Sequence, residues 1–279
     1  KAGETITSSE MSAYSGGKGL NQSIALAKAG VAVFHAGLVG NDGQILIKTL
    51  EDNQVDTSLI NIASFPTGNA IIQVDKSGQN SIVLFPGANR EISKTYVDDV
   101  MEHFLEGDWL LLQNEINEIP YILESAHKKN MYVVMNPSPC DHFLYDCNLS
   151  YVDLFLVNEV EAMQLTGENN SELMLDSMSK KYPNAEIVLT LGSSGSKYSG
   201  KGKVISQDIY KTKVADTTAA VDTFTGYFIA QMMKGQGPEK ALDLSSMASS
   251  ISVSRKGASV SIPTMAEVMA RYTQIKQQI

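Results

Sequence analysis

Two periodicities alternate along most of the chain. Trp109-Leu110-Leu111-Leu112-Gln113, Tyr132-Val133-Val134-Met135, Leu154-Phe155-Leu156-Val157 and Ile187-Val188-Leu189-Thr190 are continuous apolar runs of strand length, and segments of helical spacing separate them. Strand alternating with helix predicts a parallel sheet, since parallel neighbours need a crossover long enough to hold a helix. An earlier run, residues 31–39, reads as another buried strand, closed by the Gly40-Asn41-Asp42-Gly43 turn. Residues 67–89 break the rhythm. Two apolar runs there, 70–74 and 81–85, flank a polar turn, so a hairpin standing off the main sheet as a lid is expected. Residues 198–210 alternate loosely and suit a second antiparallel pair. No internal repeat or linker divides the chain.

The parallel strands share a feature at their ends. Each runs into polar or glycine-rich residues: Glu115, then Asn136, then Asn158 with Glu161, then Thr190 with Gly192. Ligands of open parallel sheets lie beyond the carboxyl ends of the strands, so these residues are expected to line one crevice, although each alone also reads as a turn residue.

Two loops carry candidate chemistry. Residues 216–228 pass from small polar residues into an apolar pattern of Phe224, Tyr227, Phe228, Ile229, Met232 and Met233, the signature of a loop opening a buried helix. A helix start presents unpartnered N–H groups and a positive dipole end, and the small Ala219 and Ala220 would let an anion approach them. Asp222, in or just before the first turn, adds a carboxylate that can take a proton. Base and anion hole together suit phosphoryl transfer to a hydroxyl; helix capping is the plainer role for Asp216 and Asp222. The second loop, Gly16-Gly17-Lys18-Gly19-Leu20-Asn21-Gln22, is a glycine turn entering a helix. It departs from a Walker phosphate loop, because Gly19 stands where the metal-binding Ser or Thr is required. Close backbone approach at Gly17, the Lys18 ammonium and the Asn21 amide suit a polyhydroxylated ligand; an ordinary turn is the alternative.

Composition narrows the classes. A 279-residue chain that is 43% hydrophobic can bury a large core, and a net charge of −9 argues against a nucleic-acid or anionic-membrane surface. Cys140 and Cys147 form no disulfide framework or metal motif, which points to a reducing cytoplasm. His35, His103, His127 and His142 show no metal spacing. No apolar run reaches membrane-span length, and without an initiator Met the chain is expected to start inside a longer product.

Several motifs, taken in order, resemble one family, the ribokinase-like carbohydrate kinases. They are residues 16–22, Gly87-Ala88-Asn89, Asn136-Pro137-Ser138-Pro139, Asn158-Glu159-Val160-Glu161, residues 190–195, residues 216–224 and Arg255-Lys256-Gly257-Ala258. The resemblance implies a three-layer α/β/α fold with a mostly parallel central sheet, in one domain over residues 1–279. It implies a small β lid, from about residues 1–15 and 67–89, through which two subunits pair as a homodimer. The implied reaction is ATP-dependent phosphorylation of the primary hydroxyl of a pentose, D-ribose to ribose 5-phosphate. Asp222 would be the base and the amides of Ala219, Ala220, Val221 and Asp222 the anion hole. Gly17, Lys18, Asn21 and Glu115 would hold the sugar; Asn158, Thr190, Gly192, Gly195 and Ser246 would serve ATP. Glu161 would hold Mg²⁺ through water, and Asp216, Thr218, Ser252, Arg255, Gly257 and Ser261 would surround K⁺.

The chain departs from the family pattern at two places. Val221 replaces a glycine, and if the backbone there needs a positive φ, strain of about 1–3 kcal/mol would weaken phosphoryl transfer. The family also carries a strand ahead of the segment matching residues 1–5, and its absence would leave a sheet edge unpaired. A sugar- or nucleotide-binding relative without turnover, or a nucleoside kinase on the same fold, is the alternative to the sugar kinase.

Overall fold

The computed structural model describes residue 7, residues 11–74 and residues 80–277. Most of the front part of the expected lid, residues 1–15, therefore lies outside the described residues. A six-stranded sheet organises the rest. Its parallel part comprises β5 (Trp109–Gln113), β6 (Tyr132–Asn136), β7 (Leu154–Asn158) and β8 (Glu186–Thr190), and antiparallel β9 (Ser196–Gly200) and β10 (Lys203–Gln207) complete it in the order β10-β9-β8-β7-β6-β5.

Alternation along these strands builds the layers. Val133, Met135, Phe155, Val157, Ile187 and Leu189 join one core with α3 (Lys94–Glu102), α4 (Ile119–Lys128), α5 (Glu159–Thr166) and α6 (Ser171–Lys181). Val134, Leu154, Leu156 and Val188 face the other way, into a core with α1 (Lys18–Lys28), α7 (Ala220–Met233), α8 (Gly237–Ser252) and α9 (Met265–Lys276). A strand buried on both faces has to be continuously apolar, which is the pattern read from the sequence. The fold is the three-layer α/β/α arrangement.

The first part of the chain differs from its sequence reading. Residues 31–39 were expected to be a buried strand; only β1 (Gly37–Val39) forms, pairing in parallel with β2 (Ile60–Ile62) in a separate two-stranded sheet, with one bridge at Phe34. Phe34 is 49% exposed. The reason lies in the edges. Parallel pairing turns the peptide groups of Val33 and His35 toward Asp56 and the carbonyl of Val39 toward Ala63, so those of Phe34 and Leu38 point the other way. By the same alternation Leu110 and Leu112 serve β6, so the peptide groups of Trp109, Leu111 and Gln113 face outward. These outward sides border a broad crevice, also lined by residues 16–21 of the glycine turn and α1. The β5 run, expected to be buried, is accordingly only half-buried apart from Leu112.

The expected hairpin is present as β3 (Asn69–Val74) and β4 (Asn80–Phe85), an antiparallel pair apart from the main sheet. Among the described residues, no helix is long and apolar enough to cross a membrane.

One contact sets the spacing of the second helical layer. A Cβ at Gly226 on α7 would lie 2.4 Å from Ala25 Cβ and 2.8 Å from the Leu26 amide nitrogen on α1. Only glycine lets these helices approach so closely. Gly226→Ala should therefore cost about 1–3 kcal/mol as the helices separate. Urea unfolding checks this, and an unchanged midpoint would show that the two helices do not depend on that contact.

Candidate active site

The α7 start is built by its loop. The Asp216 carboxylate accepts from the Thr218 amide (2.9 Å), the Thr218 hydroxyl (2.6 Å) and the Gly257 amide (2.9 Å), folding the loop back on itself. Desolvation works against the charge there, but these bonds win and hold the Asp216 carboxyl below its ordinary value. Ala219 then takes a left-handed conformation, φ 61°, and the helix begins at Ala220.

Asp222 is the third helical residue and is 9% exposed at the crevice wall. Its Oδ2 accepts from Asn21 Nδ2 and its Oδ1 from Gln22 Nε2, each at 2.9 Å. Burial raises its pKa, while the bonds from Asn21 and Gln22 and the charge of Lys18 oppose the rise. A carboxylate so placed is a proton acceptor within reach of solvent-side ligands. The amides beside it are mostly free. Among the described residues the N–H groups of Ala219, Val221 and Asp222 have no backbone or side-chain acceptor, whereas that of Ala220 donates to Thr217 O at 3.2 Å. The anion hole expected from the sequence thus loses Ala220.

The strain expected at Val221 is also corrected. Val221 lies in regular helix, 42% exposed, and the positive φ falls on Ala219. The turn from loop to helix is made one residue before the helix, so the left-handed residue must precede Val221.

Around Asp222 the crevice gathers Gly17, Lys18, Asn21, Glu115, Asp216, Thr218, Ala219 and Gly257. Gly17, φ 104°, caps α1 in a conformation that suits glycine. The Lys18 ammonium pairs with the Glu115 carboxylate, both about one-third exposed. Asn21 is 4% exposed, and among the described residues its Oδ1 has no partner. An unsatisfied buried acceptor beside a crevice is what a ligand hydroxyl would complete.

The remaining predicted residues stand elsewhere on the sheet. The expectation that every strand-end residue lines one crevice is not met: Asn136, Asn158, Glu161, Thr190 and Gly192 lie outside the one that holds Asp222. Asn136 is 3% exposed and bonded inward to Leu156 O. Asn158 and Thr190 are register partners on β7 and β8, side by side at the carboxyl edge. Glu161 is buried and closes a capping box with Asn158, whose amide and Nδ2 each donate to its carboxylate at 3.0 Å. Ser246 is 7% exposed inside α8 and offers little surface to a nucleotide. At Gly195 a Cβ would lie 2.1 Å from Gln207 O, so packing under β10 already accounts for that glycine.

Two ion sites can be tested against the residues present. Among the described residues no cluster of three or more His, Cys, Asp or Glu could hold a metal. Mg²⁺ keeps its waters and commonly takes only one or two carboxylates besides phosphate oxygens, so Glu161 through water fits it without a protein cage. The six residues expected around K⁺ are linked: Asp216 bonds to Thr218 and Gly257, Ser252 O accepts from the Arg255 amide (3.0 Å), and the Ser252 and Ser261 hydroxyls lie 2.9 Å apart. The Arg255 guanidinium instead reaches Glu267, at 2.5 Å, so only its carbonyl could face a cation.

Comparison with known proteins decides the family. The sequence pattern of the pfkB family carbohydrate kinases matches residues 1–265. This chain belongs to the pfkB family. It is 35% identical to the ribokinase of Haemophilus influenzae over 278 residues, covering 96% of this chain and 90% of the relative. The crystal structure of a Thermotoga maritima ribokinase superposes with a TM-score of 0.87 at 34% identity, over 98% of this chain and 92% of that one. The Arabidopsis thaliana ribokinase complexed with ribose and ATP gives a TM-score of 0.86 at 29% identity, over 97% and 91%. The pfkB fold places its sheet and two helical layers as found here.

The location of strain gives a stability test. Val221→Gly should lower stability by up to about 1 kcal/mol, because it puts glycine in regular helix. Ala219→Gly should leave stability level or raise it, as a left-handed alanine is relieved. Urea midpoints in the opposite order would return the special backbone to residue 221.

Proposed function

We propose that this pfkB-family chain transfers the γ-phosphoryl group of ATP to the primary hydroxyl of a pentose, converting D-ribose to ribose 5-phosphate. The observation that carries the reading is Asp222: a nearly buried carboxylate, fixed by two amides, beside three free backbone N–H groups at a helix start. The carboxylate takes the proton of the attacking hydroxyl, and the amides of Ala219, Val221 and Asp222 face the charge that gathers on the transferring group. Gly17, Lys18, Asn21 and Glu115 bind the sugar. In the free protein Lys18 and Glu115 satisfy each other, and hydroxyls of the sugar take over that role. Nucleotide binding falls to Asn158, Thr190, Gly192 and Gly195, with Ser246 at its margin. Glu161 would hold Mg²⁺ through water, where the ion would supply charge neutralisation for the phosphates, and Asp216, Thr218, Ser252, Arg255, Gly257 and Ser261 would surround K⁺ beside the loop that leads to α7. A binder without turnover is the reading that Val221 and the missing first strand suggest together; the positive φ at Ala219 bears on the first of these grounds alone.

A coupled assay of ADP release over a panel of pentoses and nucleosides tests the assignment, with D-ribose expected to give the highest kcat/KM. Asp222→Asn should lower kcat about 10²–10⁴-fold, the usual worth of a positioned base, with little change in KM for ribose. A carboxyl whose pKa is raised by burial favours the folded state at low pH and loses that benefit as pH rises, so ionised Asp222 is a cost at neutral pH. Turnover retained in Asp222→Asn would remove the chemical basis of the reading.

The lid hairpin supports a homodimer. Ile71 and Val83 are cross-strand partners on one side, and Ala70 pairs with Leu84 on the other. Ile71, Ile72, Val83 and Leu84 are all more than half exposed. A two-stranded ribbon with apolar side chains on both sides can cover a crevice with one and a second subunit with the other. Val83, 59% exposed, does not line the crevice. Val83→Glu is expected to convert a dimer to monomers in light scattering while the monomer retains its circular dichroism; a monomeric parent protein would end the proposal.

A further inference from the structure

Behind Asp222 lies a chain of side-chain amides that the reaction as described does not use. Gln22, on α1, is fully buried. Its Nε2 donates to Asp222 Oδ1 (2.9 Å) and to Asn136 Oδ1 (3.2 Å), and its Oε1 accepts from Gln113 Nε2 (2.7 Å). The orientation of each amide follows from a group that cannot be reversed. Leu156 O is a backbone carbonyl and can only accept, so Asn136 must turn its Nδ2 toward it, at 3.0 Å. That leaves Asn136 Oδ1 facing Gln22. Gln22 must then present its NH₂ to this side, and its second N–H reaches Asp222. Gln113 closes the other end by donating to Gln22 Oε1, which a flipped Gln22 could not accept. The direction of every bond is thereby set from β7, through the ends of β5 and β6, to the carboxylate.

We propose that Gln22 is a positioning residue for Asp222, an amide locked in one orientation by Asn136 and Gln113 that holds the carboxylate's Oδ1 and leaves its remaining lone pairs to the acceptor hydroxyl. This rests on the reading of Asp222 as the base. The geometry explains how a nearly buried Asp222 can be both ionised and aimed. Both of its oxygens receive N–H donors, and donors to a carboxylate favour its charged form over the neutral one. Each carboxylate oxygen has two lone pairs, so one donor apiece leaves room for a substrate O–H. Gln22 touches neither sugar nor nucleotide in this arrangement and acts through Asp222 alone.

The test compares Gln22→Met, close in volume but without the donor, with the parent protein. Titration of the Asp222 side-chain carboxyl by carbon NMR, assigned with Asp222→Asn, reads the effect without requiring turnover. A hydrogen bond to a charged group is commonly worth enough that its loss should move the titration midpoint upward, to a proton concentration about ten- to a hundredfold lower. The acid limb of the kcat profile should move with it, and kcat at neutral pH should fall about tenfold while KM for ATP stays level. A merely structural role for Gln22 would lower stability and leave the midpoint where it was, and that result overturns the proposal. Should Gln22→Met fail to fold, Gln113→Met decides: it frees Gln22 to turn over, so the midpoint should move in the same direction by a smaller amount, and an unmoved midpoint refutes the positioning role. Loss of the base assignment reads differently. Asp222→Asn would then keep its turnover whatever the NMR midpoints do.

Discussion

Everything the proposed chemistry needs hangs on the contact between α1 and α7. Asp222 sits on one helix and the two amides that hold it, Asn21 and Gln22, sit on the other. Those two hydrogen bonds, each 2.9 Å, fix how far apart the helices stand. Gly226 permits that spacing one turn further along α7, against Ala25 and Leu26. A hydrogen bond weakens once it is stretched beyond about 3.2 Å, so a packing residue without polar atoms bears on the electrostatics of the carboxylate.

The same contact also locates α1 beside β5. β1 and β5 each turn peptide groups toward the crevice, and α1 runs along that opening. A helix resting only on an open edge would be poorly located. Here α1 is clamped instead by α7 on one side and by the Gln22 amide to Gln113 and Asn136 on the other. Buried hydrogen bonds in a low-dielectric interior resist displacement because a broken partner is left unsatisfied. The polar chain is therefore both a tether for α1 and a template for Asp222.

Much of this was legible in the sequence, and the parts that were not share a cause. The parallel sheet followed from the continuously apolar runs, and Asp222 followed from the passage of small polar residues into an apolar helix. Both signals are local. Gln22 escaped notice because its partners are Gln113, Asn136 and Asp222, separated from it by 91, 114 and 200 positions, and nothing in the pattern of α1 distinguishes a buried glutamine from an exposed one. The surplus of buried polarity on α1, with Asn21, Gln22 and Ser23 consecutive and all buried, became a signal only once the helix had neighbours on every side. Residues 31–39 misled for a related reason. Their apolar character is that of a strand with two neighbours, whereas the described structure gives it one.

Val221 shows how a sequence departure can be misplaced by a single residue. The glycine of the family pattern invited a positive φ at 221, but the turn geometry needs it where the loop ends and the helix begins, at Ala219. A β-branched residue in the first turn of a helix keeps its N–H free, and the Val221 amide is one of the three that remain without an acceptor. What valine changes is therefore the shape of the helix mouth rather than its backbone. Its side chain is 42% exposed, so it adds apolar surface at the rim of the proposed anion hole while leaving the donors intact. The substitution that looked like damage to the site is thus compatible with the electrostatics the site requires.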